Sequence, residues 1–205
     1  MQSIDDKILS RIYGRGKGFT FSSFDFIGEF KDNNIDKSLS TLTKEGKIRR
    51  ISRGIYDYPK YSDLLEQNLS PDIDAVASAY ARRFNWQIEI SGESALNYLG
   101  LSTQVEGNYI YLSSGPSRKY QIGNTTLIFK HTASKNIGFK YKESSLIVQA
   151  LKALGQAHTD DRVKEKISIF IAPKQCNKIL KDTQTSTTWI YETIKEICQE
   201  VKENA

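Results

Sequence analysis

The chain has little of what most enzymes and secreted scaffolds depend on. Among 205 residues there are 2 cysteines, 2 histidines, 1 methionine and 4 prolines. Cys176 and Cys198 form no Cys-x-x-Cys pair, so no disulfide framework is indicated and both are expected to be reduced, buried thiols of a cytoplasmic protein. Neither His131 nor His158 has a Cys or another His at ligand spacing, which argues against a zinc site. The Gly-x-Ser-x-Gly elbow, the P-loop and the dinucleotide fingerprint are all missing. No apolar run approaches the roughly 20 residues of a membrane span, and the start, MQSIDDKILS, has no signal-peptide apolar region. Repeats and low-complexity tracts are missing too. These absences lead to an expectation of a cytoplasmic protein with no membrane association, no cofactor, no metal and no catalytic activity. With 39% hydrophobic and 26% charged residues, the chain can bury a core and stay solvated, as one large or two small domains.

What the chain does have is concentrated between Asn34 and Pro59. Ile35, Leu39 and Leu42 form an apolar stripe at helical period. Asn33 or Asn34 can cap this helix, and Gly46 can take the left-handed position after it, with Lys44 near its negative end. Lys37, Ser40, Thr41 and Lys44 face away from the stripe. Ile48 and Ile51 then alternate around Arg49 and Arg50, Ser52-Arg53-Gly54 makes a tight turn, and Ile55, Tyr56 and Tyr58 form a return strand stopped by Pro59. Upstream, a first helix carries Ile4, Ile8, Leu9 and Ile12, and the glycines at 14, 16 and 18 end it. A second helix is expected from Thr20, Ser22 or Ser23, with Phe24, Ile27 and Phe30 at helical spacing. Three helices followed by a two-stranded hairpin predict a winged helix-turn-helix over residues 1–60.

Charge placement favours DNA as its ligand. Residues 1–60 hold 12 Lys and Arg against 8 Asp and Glu, whereas residues 61–205 hold 17 against 16. Most of the net +5 therefore lies in the first segment, as a phosphate-binding domain requires. Lys37, Ser40, Thr41 and Lys44 are the expected groove-facing residues, and Arg49, Arg50 and Arg53 the expected phosphate or minor-groove contacts. A single recognition helix reads a short half-site, so two copies on an inverted repeat of double-stranded DNA are expected. The competing reading is a protein-interaction module whose lysines are only a solvated face.

Residues 60–71 read as a connection, and residues 61–205 as a larger α+β domain with strands in its first half and helices after. A helix is expected over 72–84, strands near 86–90 and 109–112, a hairpin about Gly123-Asn124, and helices over 145–154, 160–171, 173–181 and 187–201. Trp86 and Trp189 are read as core or interface residues, and the last helix as core with a dimer contact as the alternative. The turn Ser113-Ser114-Gly115-Pro116-Ser117-Arg118-Lys119 joins hydroxyls and cations. Ser114, Ser117, Arg118 and Lys119 are accordingly candidates for holding a phosphate, with a solvent-exposed hairpin connection as the equal alternative. The basic loop Gly14-Arg15-Gly16-Lys17-Gly18 lacks a Walker ending and reads as an interhelical loop. Glu89 with Glu93, and Asp160 with Asp161, are poor nuclease pairs. Glu89 has no strand lysine beside it, and the aspartates sit where helix caps sit.

Three segments, GKIRRISRGIYDYPK, SGESALNYLGLSTQV and NYIYLSSGPSRKYQIGNTTLIFKHT, resemble the AbiEi antitoxin family of bacterial type IV toxin–antitoxin systems. The specific part is Leu99-Gly100-Leu101-Ser102-Thr103-Gln104-Val105 followed by Ser114-Gly115-Pro116-Ser117-Arg118. The resemblance runs from the hairpin to about His131. It implies an antitoxin that represses its own operon and counters a nucleotidyltransferase-like toxin encoded next to it, without requiring a stable complex with that toxin.

Overall fold

The computed structural model describes residues 3–102, 108–133 and 137–203; Thr103, Gln104 and Val105 of the antitoxin-like segment lie outside them. The architecture is mixed α+β with a helix-rich beginning. Contacts divide the chain into two units, residues 1–86 with 119–127, and residues 87–118 with 128–205.

In the first unit, α1 (Ile4–Arg15) starts at a capping box, where the Ser3 hydroxyl accepts from the Asp6 amide at 3.1 Å. Its Ile8 and Ile12 are fully buried. Where a second helix was expected, the chain instead forms a short strand β1 (Thr20–Phe21) and one 3-10 turn, Ser23–Phe26. The apparent helical stripe fails because Phe21 and Phe26 enter the core while Phe24 and Ile27 remain exposed. Pairing of Phe21 with Tyr56 joins this segment to the hairpin as a strand, with Thr20 and Phe21 both buried.

Helix α2 (Asp32–Lys44) buries Ile35, Leu39 and Leu42 as expected. Its cap position is Lys31, not an asparagine, and Gly46 beyond its end takes φ +69°. Strands β2 (Arg49–Ser52) and β3 (Ile55–Asp57) are antiparallel and irregular between Arg50 and Ser52, and the sheet order is β1-β3-β2. The expected connection folds into a small hairpin, β4 (Tyr61–Ser62) with β5 (Gln67–Asn68).

Helix α3 (Ile73–Phe84), capped by the Asp72 carboxylate, was expected in the second domain but packs on the first unit. Arg82 donates to the Asp25 carboxylate at 2.7 Å and to the Thr20 carbonyl at 2.8 Å. The Tyr80 and Ser52 hydroxyls lie 2.7 Å apart, and the Tyr80 ring stacks on Tyr120 with centroids 4.0 Å apart. By these contacts the first unit extends well past residue 60.

In the second unit, β6 (Ile88–Ile90) pairs with β7 (Asn108–Ser113); the strand order of this sheet is β6-β7-β9-β8, where β8 (Arg118–Ile122) falls mostly, and β9 (Thr125–His131) partly, among residues 119–127 of the first unit. Helix α4 (Gly92–Tyr98) approaches α5 (Lys142–Leu154) closely because residue 92 has no side chain. A Cβ there would lie 2.6 Å from that of Ala153 and 2.9 Å from the Gln149 carbonyl oxygen. Helices α6 (Asp161–Ser168), α7 (Cys176–Asp182) and α8 (Thr188–Glu203) complete the unit. Ile190, Ile194 and Ile197 of α8 enter a core with Leu146, Ile147, Leu151 and Ile167, while Trp189 packs at its margin. Each buried isoleucine contributes about 1.5–3 kcal/mol, so the terminal helix serves the core of its own unit.

Candidate nucleic-acid interface

Lys37, Ser40 and Lys44 lie exposed on α2, on the side opposite Ile35, Leu39 and Leu42. Neither lysine makes an ion pair among the described residues. Thr41 is half-buried, and its hydroxyl donates to the Lys37 carbonyl at 3.1 Å, a back-bond within the helix. Ser38 is buried and donates to the Asp5 carboxylate. The exposed side of α2 is not purely basic. Asp36 is exposed one helical turn before Ser40, and Asp32 is exposed one turn before Asp36.

The three hairpin arginines, grouped together by the sequence, separate in the structure. Arg49 lies directly across the ladder from Asp57. Its Nε and Nη2 donate to the two oxygens of that buried carboxylate at 3.0 and 2.6 Å, and its Nη1 donates to the Leu69 carbonyl at 3.0 Å. Such a fork-on-carboxylate pair consumes the guanidinium, so Arg49 holds the fold together and is withdrawn from the expected phosphate contacts. Arg50 is exposed, with its Nε 3.4 Å from the Ser52 carbonyl, and Arg53 is exposed at the turn. Neither has an acidic partner among the described residues.

The turn also holds an arginine that the sequence did not single out. Arg83, in the last turn of α3, donates from Nη1 to the Arg53 carbonyl at 2.7 Å. Gly54, at φ +76°, leaves room for it: a Cβ on residue 54 would lie 2.7 Å from the Arg83 Cζ. The guanidinium also lies over the Phe84 ring, 5.2 Å from its centroid. Arg82 and Arg83 lie in the last turn of α3, where cations suit a helix C-terminus. No local pattern showed that they pack on the hairpin.

The loop 14–18 is tied to the end of β3, with the Gly18 amide donating to the Tyr58 carbonyl at 2.6 Å. The Lys60 stem passes over Gly18, and Arg15 lies 5.8 Å from the Phe19 centroid.

The second candidate loop uses its hydroxyls internally. The Ser113 hydroxyl accepts from the Gly115 amide at 3.0 Å, that of Ser114 from Gln87 at 2.9 Å, and that of Ser117 from His131 at 2.9 Å. The His131 Nδ1 lies 2.9 Å from the Gly115 carbonyl oxygen. Arg118 and Lys119 are exposed at the start of β8. These bonds account for the serines as turn-forming residues.

Glu89 is buried and accepts from the Gly138 and Phe139 amides at 2.7 and 2.9 Å, which gives it a structural role. Among the described residues no group of three His, Cys, Asp or Glu side chains could hold a metal ion. Among them, too, no helix is long and apolar enough to cross a membrane. Burial pushes the Cys198 thiol up to about 12, and Cys176 beside it adds to the shift. Both cysteines are free and buried.

No curated protein matches the chain. A family of unknown function, DUF6088, matches residues 7–179, and the chain belongs to that family.

Proposed function

We propose that the first unit is a winged helix-turn-helix that binds double-stranded DNA, and that the protein is a transcriptional autorepressor and antitoxin of a type IV toxin–antitoxin operon. Helix, strand, 3-10 turn, helix and hairpin follow one another; this order supports the winged reading, with the 3-10 turn taken to stand where the second helix would be. The observation that carries the DNA reading is the β2–β3 turn. There Arg50 and Arg53 are exposed and have no acidic partner among the described residues, while the neighbouring Arg49 is neutralised by Asp57. An exposed cationic turn whose neighbouring Asp57 is already paired with Arg49 suits the phosphodiester backbone. Lys37, Ser40 and Lys44 on α2 are the groove-facing set, and Asp36 restricts which base edges that helix tolerates. The antitoxin part rests on the resemblance in the hairpin and in residues 91–131. The protein acts without cofactor, metal or catalysis, in the cytoplasm, against a nucleotidyltransferase-like toxin encoded beside it.

A second reading, a module that engages the toxin without touching DNA, is favoured by one feature. Tyr98 and Phe170 are exposed and line an open cleft with Lys142, Glu143 and Leu146, an apolar surface suited to a protein. Co-expression of the full chain with the neighbouring toxin and a promoter fusion separates the readings. The DNA reading expects Arg50→Ala with Arg53→Ala to lose repression and keep growth rescue. Repression retained in that variant contradicts it.

A further inference from the structure

The turn at residues 52–54 gathers more positive charge than the hairpin itself supplies. Arg50 reaches the Ser52 carbonyl, Arg83 reaches the Arg53 carbonyl, and Arg53 itself is exposed. The three residues thus sit around one three-residue turn. Among the described residues none of them pairs with a carboxylate, although Arg49, Arg82 and Arg11 each do. Three cations around one short turn raise the local positive potential, which favours an anion there. Arg83 is held there by specific packing. Residue 54 is a glycine whose missing Cβ makes room for the guanidinium, Phe84 offers its ring face, and the Ser52–Tyr80 hydroxyl contact fixes the turn on α3. A guanidinium carries five N–H donors, and the Arg53 carbonyl takes one from Arg83 at 2.7 Å, which leaves donors for a second acceptor.

We infer that Arg83 joins Arg50 and Arg53 in a three-arginine site for a backbone phosphate of duplex DNA, with α3 as a fixed support for the hairpin turn. The inference rests on the DNA reading and adds to it a helix that lies outside a winged unit ending at residue 60. Phosphate is the chemistry selected because forked guanidinium donors match its oxygens in pairs. A contact to a backbone phosphate carries no sequence information, so the site's contribution is independent of sequence.

The test uses the full-length protein, a labelled duplex of about 30 bp taken from upstream of its own reading frame, and a scrambled duplex of the same length, titrated over a range of salt. Arg83→Gln keeps an amide donor for the Arg53 carbonyl and removes the charge; Arg83→Lys keeps the charge. Arg83→Gln is expected to weaken both duplexes to a similar degree and to lower the slope of log affinity against log salt by about one. Arg83→Lys is expected to keep the wild-type slope. Wild-type slope in Arg83→Gln overturns the role of Arg83 and leaves the DNA reading standing. A reduced slope in both variants, together with a lowered thermal midpoint, makes Arg83 a structural prop and also overturns it. A wild-type protein that binds neither duplex removes the DNA reading and the inference together.

Discussion

At the β2–β3 turn, side-chain donors from Arg50 and Arg83 point at backbone carbonyls. At the turn over residues 113–117, backbone amides point at serine hydroxyls. Both turns look alike in sequence, short and rich in hydroxyls and cations. They differ in what is left over. A serine that accepts from an amide has satisfied the fold. An arginine that makes one hydrogen bond to a carbonyl keeps its charge and most of its donors. Polarity alone therefore does not mark a ligand site; the proposed phosphate site rests on charge without a counter-charge.

The comparison breaks most readily at Arg49, the hairpin arginine whose charge is neutralised. Arg49→Ala leaves Asp57 buried without its partner, and removing one member of such a pair costs about 3–5 kcal/mol. Part of the Arg49 side chain is exposed, so the lower end, about 3 kcal/mol, is expected as a shift in urea unfolding. Arg50→Ala with Arg53→Ala is expected to change stability by no more than about 0.5 kcal/mol each, as exposed substitutions do. The same pair is expected to lower the salt slope of duplex binding by about two. A large stability loss there, with DNA binding intact, would erase the contrast between the arginines.

Lys37→Ala with Lys44→Ala sharpens the comparison within the first unit. It is expected to weaken binding to the upstream duplex without unfolding the protein, and unchanged affinity in a gel-shift titration would remove α2 from the interface. In the second unit, Ser114→Ala takes away the acceptor for the Gln87 amide. A loss of about 1 kcal/mol in stability is expected, with the salt slope unchanged; a lowered slope would restore this turn as a phosphate site. The smallest expected effect is chemical. With the Cys198 thiol pushed up to about 12, the native protein should react with a thiol reagent at pH 8 far more slowly than the unfolded chain. Rapid native labelling of Cys198 would contradict its burial.

Much of the first unit was legible. Ile35, Leu39 and Leu42 announced α2, and Gly54 between two β-prone runs announced the hairpin. The separation of Arg49 from Arg50 was legible in principle, because neighbours in a strand face opposite sides. Closing the hairpin at residues 53–54 would by itself set Asp57 across from Arg50; the irregularity between Arg50 and Ser52 shifts the register by one and sets it across from Arg49, so which arginine is paired was not legible. The second helix was misread because Phe24, Ile27 and Phe30 repeat at helical spacing, whereas pairing of Phe21 with Tyr56 decides the segment. Strand pairing between distant residues overrides such a short local period. Arg83 was illegible for the same reason. Its place follows from α3 packing on the hairpin, which no window of neighbouring residues contains. The helices of the second unit were read well in type, since α5 and α8 are long and amphipathic, but the roles of Ser114 and Ser117 depended on their distant partners Gln87 and His131.

The central claim is that the first unit binds duplex DNA chiefly through phosphate contacts at the hairpin turn. The most direct measurement is the affinity of the full-length protein for a labelled duplex from upstream of its own reading frame, followed from about 50 to about 200 mM salt. The account predicts binding that weakens linearly on logarithmic axes as salt rises, with a slope that falls when Arg50 and Arg53 are replaced. Absence of binding at the lowest salt, or affinity that does not change with salt, would contradict it.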